Sequence, residues 1–214
     1  MNTDINLIKT LSTLFSIGCL CCTFAHAEKI DCSDPHSPFL KKICTENLSD
    51  VRTKLTNQYT TAFLISDAPI KLLADTHTLW FKRLQQCKNF ACYQQQFELR
   101  IDDLNFYTSL NQSLTNHYLK FENGQIANQA VHLQIHQLTK NNIKIEGIAY
   151  RNPNNKSQTQ TVPFLTYTSP DKKNEVIDNE HDCKYQLHFN KAILTVKTKQ
   201  KDCERFTGVY RIYD

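Results

Sequence analysis

Cysteine spacing constrains the fold of this chain more than any other feature. Beyond residue 27 the cysteines fall in three close couples: Cys32 with Cys44, Cys87 with Cys92, and Cys183 with Cys203. An even number of cysteines in an exported chain reads as a disulfide framework. Six cysteines admit fifteen pairings, and the grouping favours neighbours: 32–44, 87–92 and 183–203. Each bridge stabilises by about 2–4 kcal/mol, mainly by restricting the unfolded chain. The 87–92 couple also dictates a shape. Two residues five apart on a straight helix point about 140° apart, too far for the roughly 3.5–4.5 Å between Cβ atoms that a bridge needs. The segment CKNFAC is therefore expected to be the stapled corner of a helical hairpin. The 32–44 bridge is expected to tie an N-terminal arm to the first helix.

The compartment is read from the start of the chain. Residues 11–24 (LSTLFSIGCLCCTF) are apolar, uncharged and free of proline; Lys9 precedes them and Ala25-His26-Ala27 follows. This is a charged n-region, an h-region and an A-x-A cleavage box in the right order. The run is shorter than the roughly 20 residues needed to span a bilayer. A signal peptide over 1–27, cleaved after Ala27, is expected, with 28–214 periplasmic or secreted. Lipid attachment at Cys19 or Cys22 would want a Leu three positions earlier, where Ser16 and Cys19 stand. No transmembrane segment is expected in the mature chain. The net charge of +4 is modest, its lysines are scattered and no arginine-rich run stands out, so nucleic acid is not an expected partner. The oligomeric state is left open.

Hydrophobic periodicity divides the remainder into an α+β arrangement. Ser37-Pro38 reads as an N-cap followed by Pro at the first helical position. Val51, Leu55, Tyr59 and Phe63 form one helical stripe. Ile70, Leu73, His77, Trp80, Phe81 and Leu84 form a second, and Phe97, Ile101, Leu104 and Tyr107 a third. Near residue 120 the period changes. Val131, Leu133 and Ile135 alternate with His132, Gln134 and His136, and further short alternating runs follow at 162–168, 184–189, 193–197 and 208–213. The expectation is a disulfide-stapled helical bundle or hairpin over 28–117. It is followed over 125–214 by an antiparallel β domain of about six strands, a sandwich or a partly closed barrel.

Catalytic motifs are scarce. No G-x-S-x-G, P-loop or dinucleotide glycine pattern occurs, and paired cysteines make poor nucleophiles. His132 and His136 share one side of a strand and could start a zinc site if His181, Asp182 or His188 joined them, which would suit a metal-dependent hydrolase. The stronger reading makes them surface imidazoles on a polar strand face. Asp102-Asp103 reads as a solvated helix face, with Asp102 beside the apolar stripe. Trp80 reads as core rather than as a carbohydrate-stacking platform. Tyr150, Tyr167 and Tyr185 could form a contact patch, although their phases suggest that some face inward. No catalytic residue, metal or cofactor is expected.

Two segments carry a family resemblance: IDCSDPHSPFLKKICTENLSDVRTKLTNQYTTAF and LWFKRLQQCKNFACYQQQFELRIDDL. Together they resemble the N-terminal domain of the LprI-type lysozyme-inhibitor family over about 30–110. The matching positions are Asp31, Cys32, Ile43, Cys44, Leu48, Leu55, Tyr59, Trp80, Cys87, Cys92 and Arg100. The chain departs from that pattern at Val51-Arg52, where the family has Leu-Asp, and at Leu84-Gln85, where it often has Arg-Asp; here Arg83 stands one position early. The C-terminal half, from Asp182 through Arg211, is similar to a small β domain sometimes found behind this module. The resemblance implies a non-catalytic inhibitor of a cell-wall-cleaving lysozyme. The alternative is a periplasmic module that binds another envelope protein without inhibiting anything. Steering toward a basic lysozyme would fall to a local acidic patch such as Asp178, Glu180 and Asp182, because the chain is itself basic.

Overall fold

The computed structural model describes residues 30–109, 111–156 and 158–213. The expected signal peptide lies outside the described residues. Ser37 opens the helical half. Its Oγ accepts from the Leu40 N–H at 3.0 Å, and Pro38 takes the first position of α1 (Pro38–Ile43). A 3₁₀ turn, Glu46–Leu48, leads into α2 (Ser49–Ile65). Arg52 Nη1 donates to the carbonyls of Ile43 at 2.6 Å and Thr45 at 2.8 Å, satisfying acceptors where α1 ends. The residue that departs from the family pattern thus has a structural task here.

The helical hairpin is α3 (Ile70–Gln86) and α4 (Phe90–Ser109). Cys87 and Cys92 bridge its corner, where Asn89 Oδ1 accepts from the Cys92 N–H at 2.9 Å. Cys32 and Cys44 tie the arm to α1, with Cα atoms 5.5 Å apart. Trp80 is wholly buried, edge-on to Phe97 at 5.5 Å between centroids, and its Nε1–H donates to the Gln96 carbonyl at 2.7 Å. It is core, as its place in the stripe suggests. The stripe on α2 stops early: Leu55 and Ala62 are buried, whereas Phe63 and the first residue of α3, Ile70, are exposed.

Among the described residues nine strands follow: β1 (Thr115–Glu122), β2 (Gln125–Ile126), β3 (Val131–Thr139), β4 (Asn142–Tyr150), β5 (Thr161–Thr168), β6 (Glu175–Ile177), β7 (Lys184–Asn190), β8 (Ile193–Lys197) and β9 (Gly208–Tyr213). The first begins at Thr115, ahead of the expected start near 125. Both faces of β1 are covered, Tyr118 inside the sheet and Leu119 against the helices, so it lacks the apolar–polar alternation of a half-exposed strand. Every pairing is antiparallel, in the order β5-β4-β3-β1-β9-β8-β7-β6, with β2 beside β1. This is one nearly closed sheet rather than a two-sheet sandwich. The Cys183–Cys203 bridge joins the start of β7 to the 3₁₀ turn Lys201–Phe206. No helix among the described residues is long and apolar enough to cross a membrane.

The two terminal strands meet at a seam built on Asp178. Its wholly buried carboxylate accepts from the N–H groups of Leu165 at 2.9 Å and Glu180 at 3.2 Å and meets His181 Nδ1 at 2.9 Å. The Asn179 N–H adds a bond to the Leu165 carbonyl at 2.8 Å. Asp178 therefore contributes nothing to an acidic surface patch; only Glu180 and Asp182 are exposed. Asp178→Ala should lower stability by about 2 kcal/mol, since two backbone donors lose a charged acceptor. Chemical denaturation reads this, and an unchanged midpoint would show that the seam does not depend on the carboxylate.

Inside the sheet, Leu133, Ile145, Phe164, Leu194 and Tyr210 form one core. A second core lies between the outer face of β1, β3 and β4 and the helices, joining Leu119 and Tyr150 to Trp80, Phe97 and Leu104. Gly147 on β4 permits the inner packing. A Cβ there would stand 2.5 Å from Leu133 Cδ2 and 2.9 Å from the His132 carbonyl oxygen. Gly147→Ala should therefore lower stability by about 1–3 kcal/mol, measurable by thermal melting, through overpacking of the interior.

Candidate functional site

Where α3 and α4 cross the outer face of β3, β4 and β5, they enclose a cavity of about 270 Å³. Helical spacing aims Thr76, Leu79 and Arg83 at it from α3, and Arg100, Asp103 and Tyr107 from α4. Strand alternation supplies His132 and Gln134 from β3 and Glu146, Ile148 and Tyr150 from β4.

Two buried guanidiniums and the Asp103 carboxylate hold the centre of this space, with Glu146 and the exposed Glu180 also on its lining. Arg100 is 1% exposed; its Nη1 lies 3.8 Å from Asp103 Oδ2, and its Nη2 donates to the Leu73 carbonyl at 3.3 Å. Asp103 Oδ1 accepts from the Tyr150 hydroxyl. Arg83, 4% exposed, lays its guanidinium on the Tyr150 ring, 3.6 Å from the centroid. The Nε atoms of both arginines are buried without a hydrogen-bond partner, as are Gln134 Oε1 and Glu146 Oε1. Glu146 Oε2 pairs with Lys144 Nζ at 2.6 Å. Burial pulls Arg83 below its ordinary range and pushes the Asp103 carboxyl up, against the opposing pull of Arg100 and Arg83. Burial also raises the Tyr107 phenol to about 12.

A histidine relay adjoins the charged group. His117 Nε2 lies 2.7 Å from Gln112 Oε1, and His117 Nδ1 lies 3.1 Å from His132 Nε2. The amide oxygen only accepts, so His117 donates from Nε2 and receives at Nδ1 the N–H of His132. The Tyr107 ring stacks on His132 at 6.2 Å between centroids. Burial lowers His117 to about 4 and His132 well below its ordinary value, the latter also opposed by His117 and Arg100. Both imidazoles are neutral at physiological pH.

This geometry corrects several expectations. His132 and His136 are buried, not surface imidazoles, because the helices cover the face of β3 that alternation marks as polar. His136 Nδ1 instead meets Thr115 Oγ1 at 2.7 Å. His181 sits at the Asp178 seam and His188 is exposed on β7. Among the described residues no three His, Cys, Asp or Glu side chains are grouped to hold a metal. Asp102 is exposed and Asp103 turns inward, the reverse of the expected pair. Tyr150 and Tyr185 are buried, leaving Tyr167 alone of the three exposed. Of the positions that carry the family resemblance, Ile43, Leu48, Leu55, Trp80 and Arg100 are buried and Tyr59 is partly so. The Asp31 carboxylate accepts from the N–H and hydroxyl of Ser33 at 2.9 and 2.7 Å. Arg83, His117 and Glu146 had no signal of their own in the sequence; Asp103 could have been found as the residue that shares a helical face with Arg100 and Tyr107.

A second feature lies on the surface. The corner between α2 and α3 exposes Phe63, Leu64, Ile65 and Ile70, with Leu64 at 70% and Ile65 at 69%. Such a run of large apolar side chains faces water at a cost unless something covers it.

The chain matches no family model, no curated protein and no solved structure.

Proposed function

We propose that this chain is an exported, non-catalytic binding protein of the cell envelope whose partner is a cell-wall-cleaving lysozyme. The observation that carries the reading is the α2–α3 corner. Phe63, Leu64, Ile65 and Ile70 form an apolar edge on a stapled helical scaffold, the form of surface that seats in an enzyme cleft without chemistry of its own. The identity of the partner comes from the resemblance to LprI-type inhibitors. A scaffold held by disulfides loses little conformational freedom on docking. Because the chain carries +4, long-range attraction to a basic lysozyme does not help it, and affinity must come from apolar contact. Salt screens the repulsion between two basic proteins, so inhibition should strengthen rather than weaken as ionic strength rises.

The test titrates purified protein into lytic assays with several lysozyme types. Inhibition at micromolar concentration is expected, and Leu64→Asp with Ile65→Asp should weaken it at least about tenfold while leaving the melting temperature unchanged. No inhibition at micromolar excess would overturn the lysozyme partner and leave the reading of an interaction module without inhibitory activity.

A further inference from the structure

We propose that the cavity between the helical hairpin and the sheet is a binding site for a small monocarboxylate with an apolar body and a hydrogen-bond donor, with Arg83 as the residue that anchors its carboxylate. This goes beyond the docking corner and does not depend on it.

The argument begins with charge. Arg83 and Arg100 bring two positive charges into the cavity wall and Asp103 returns one negative charge; Glu146 is already matched by Lys144, and Glu180, the remaining carboxylate on the lining, is exposed to solvent. Among the buried groups one positive charge is left over, and an unmatched buried charge is strongly unfavourable. A monoanion balances it. A phosphate dianion would overshoot and would face the carboxylates of Asp103 and Glu146.

Hydrogen bonding points the same way. Arg83 is held flat on the Tyr150 ring and makes no hydrogen bond to any described residue, although a guanidinium offers five N–H donors. A side chain whose plane is fixed and whose edge is unused is prepared for a bidentate carboxylate. Arg100 adds a buried Nε with no acceptor. Elsewhere on the same wall, Gln134 Oε1 and Glu146 Oε1 are buried acceptors with no donor, which a hydroxyl or amide N–H on the ligand would satisfy. The rest of the lining, including Leu79, Phe106, Leu119 and Ile148, is apolar. The volume of about 270 Å³ falls just below the roughly 300–1,000 Å³ of sites for drug-sized ligands, which limits the body to one ring or a short chain.

The test uses the full protein and calorimetric titration with a panel of monocarboxylates, among them 4-hydroxyphenylacetate, phenylacetate and hexanoate. Matched probes are 4-hydroxyphenylacetamide, which lacks the charge, and inorganic phosphate. At least one carboxylate should bind and raise the melting temperature, the hydroxylated acid more tightly than phenylacetate, the neutral amide at least tenfold more weakly. Arg83→Met should lose that binding at least tenfold; it also removes the surplus charge, so without ligand it should melt no lower than the parent. If that variant does not fold, Ala130→Leu, which narrows the cavity and keeps Arg83, should abolish binding in its place. Failure of every carboxylate to bind the parent, binding unchanged in Arg83→Met, or phosphate and amide binding as well as the acids would each overturn the proposal.

Discussion

Replacing Asp103 by leucine should lower the stability of the folded chain by about 2–4 kcal/mol, because it takes the acceptor from the buried Tyr150 hydroxyl and the countercharge from two buried guanidiniums. Among the described residues Asp103 is the carboxylate set against both Arg83 and Arg100, and its other oxygen holds the Tyr150 hydroxyl. Asparagine would keep that acceptor and should cost less than leucine, since burial already disfavours the charged form of Asp103. Removing one member of a buried charge cluster is far worse than removing the cluster, because the charge left behind keeps its full desolvation penalty. The double substitution Asp103→Leu with Arg100→Met should therefore recover part of the loss, the remainder reflecting Arg83 and the Tyr150 hydroxyl left without Asp103. Urea denaturation of the parent, the single and the double variant forms the measurement. A single-variant loss under about 1 kcal/mol would mean that Asp103 does not neutralise the arginines.

That cluster also shows where sequence reasoning reached and where it stopped. The hairpin was legible because two signals agreed: the stripes at Trp80, Leu84, Phe97 and Leu104 give two helices, and CKNFAC gives a bend between them. The bridge 183–203 was legible from proximity alone. What was not legible is that the two halves pack face to face. Alternation along β3 distinguishes two faces, but it assigns His132, Gln134 and His136 to water only if nothing lies on the outer side. The helices lie there, so the polar face becomes an internal one. The same omission hides Asp103. Its spacing from Arg100 and Tyr107 places all three on one side of α4, and an isolated helix cannot say whether that side meets solvent or a sheet. The seam at Asp178 is a third case, since the meeting of the first and last strands of the sheet order depends on closure, a property of the whole sheet. Local periods were readable; the polar residues trapped between layers were not.

The relay beneath α4 makes the fold sensitive to acid. His117 and His132 are buried and neutral, with His117 lowered to about 4 and His132 well below its ordinary value. In the unfolded chain both take up protons near pH 6.5. Between pH 6.5 and about 4 the unfolded state thus binds more protons than the folded one, and stability falls as pH falls, by about 1.4 kcal/mol per pH unit for each imidazole. The loss should reach about 3–5 kcal/mol between pH 7 and 4.5, and above pH 7 these groups should contribute no slope. The groups facing the relay reinforce the sign. Arg100 repels a proton on His132, and Tyr107, stacked on His132 and tilted against His117, offers no negative charge, its phenol being raised. Asp103 works in the opposite direction: its raised carboxyl takes up a proton in the folded state before it does so in the unfolded one, which offsets part of the loss at the acid end. Urea midpoints measured from pH 8 to 4.5 should show the decline, and the His117→Gln, His132→Gln double variant should flatten it. A parent profile that is already flat over this range would mean that the relay carries its protons into the folded state, and the neutral arrangement of His132 donating to His117 would be wrong.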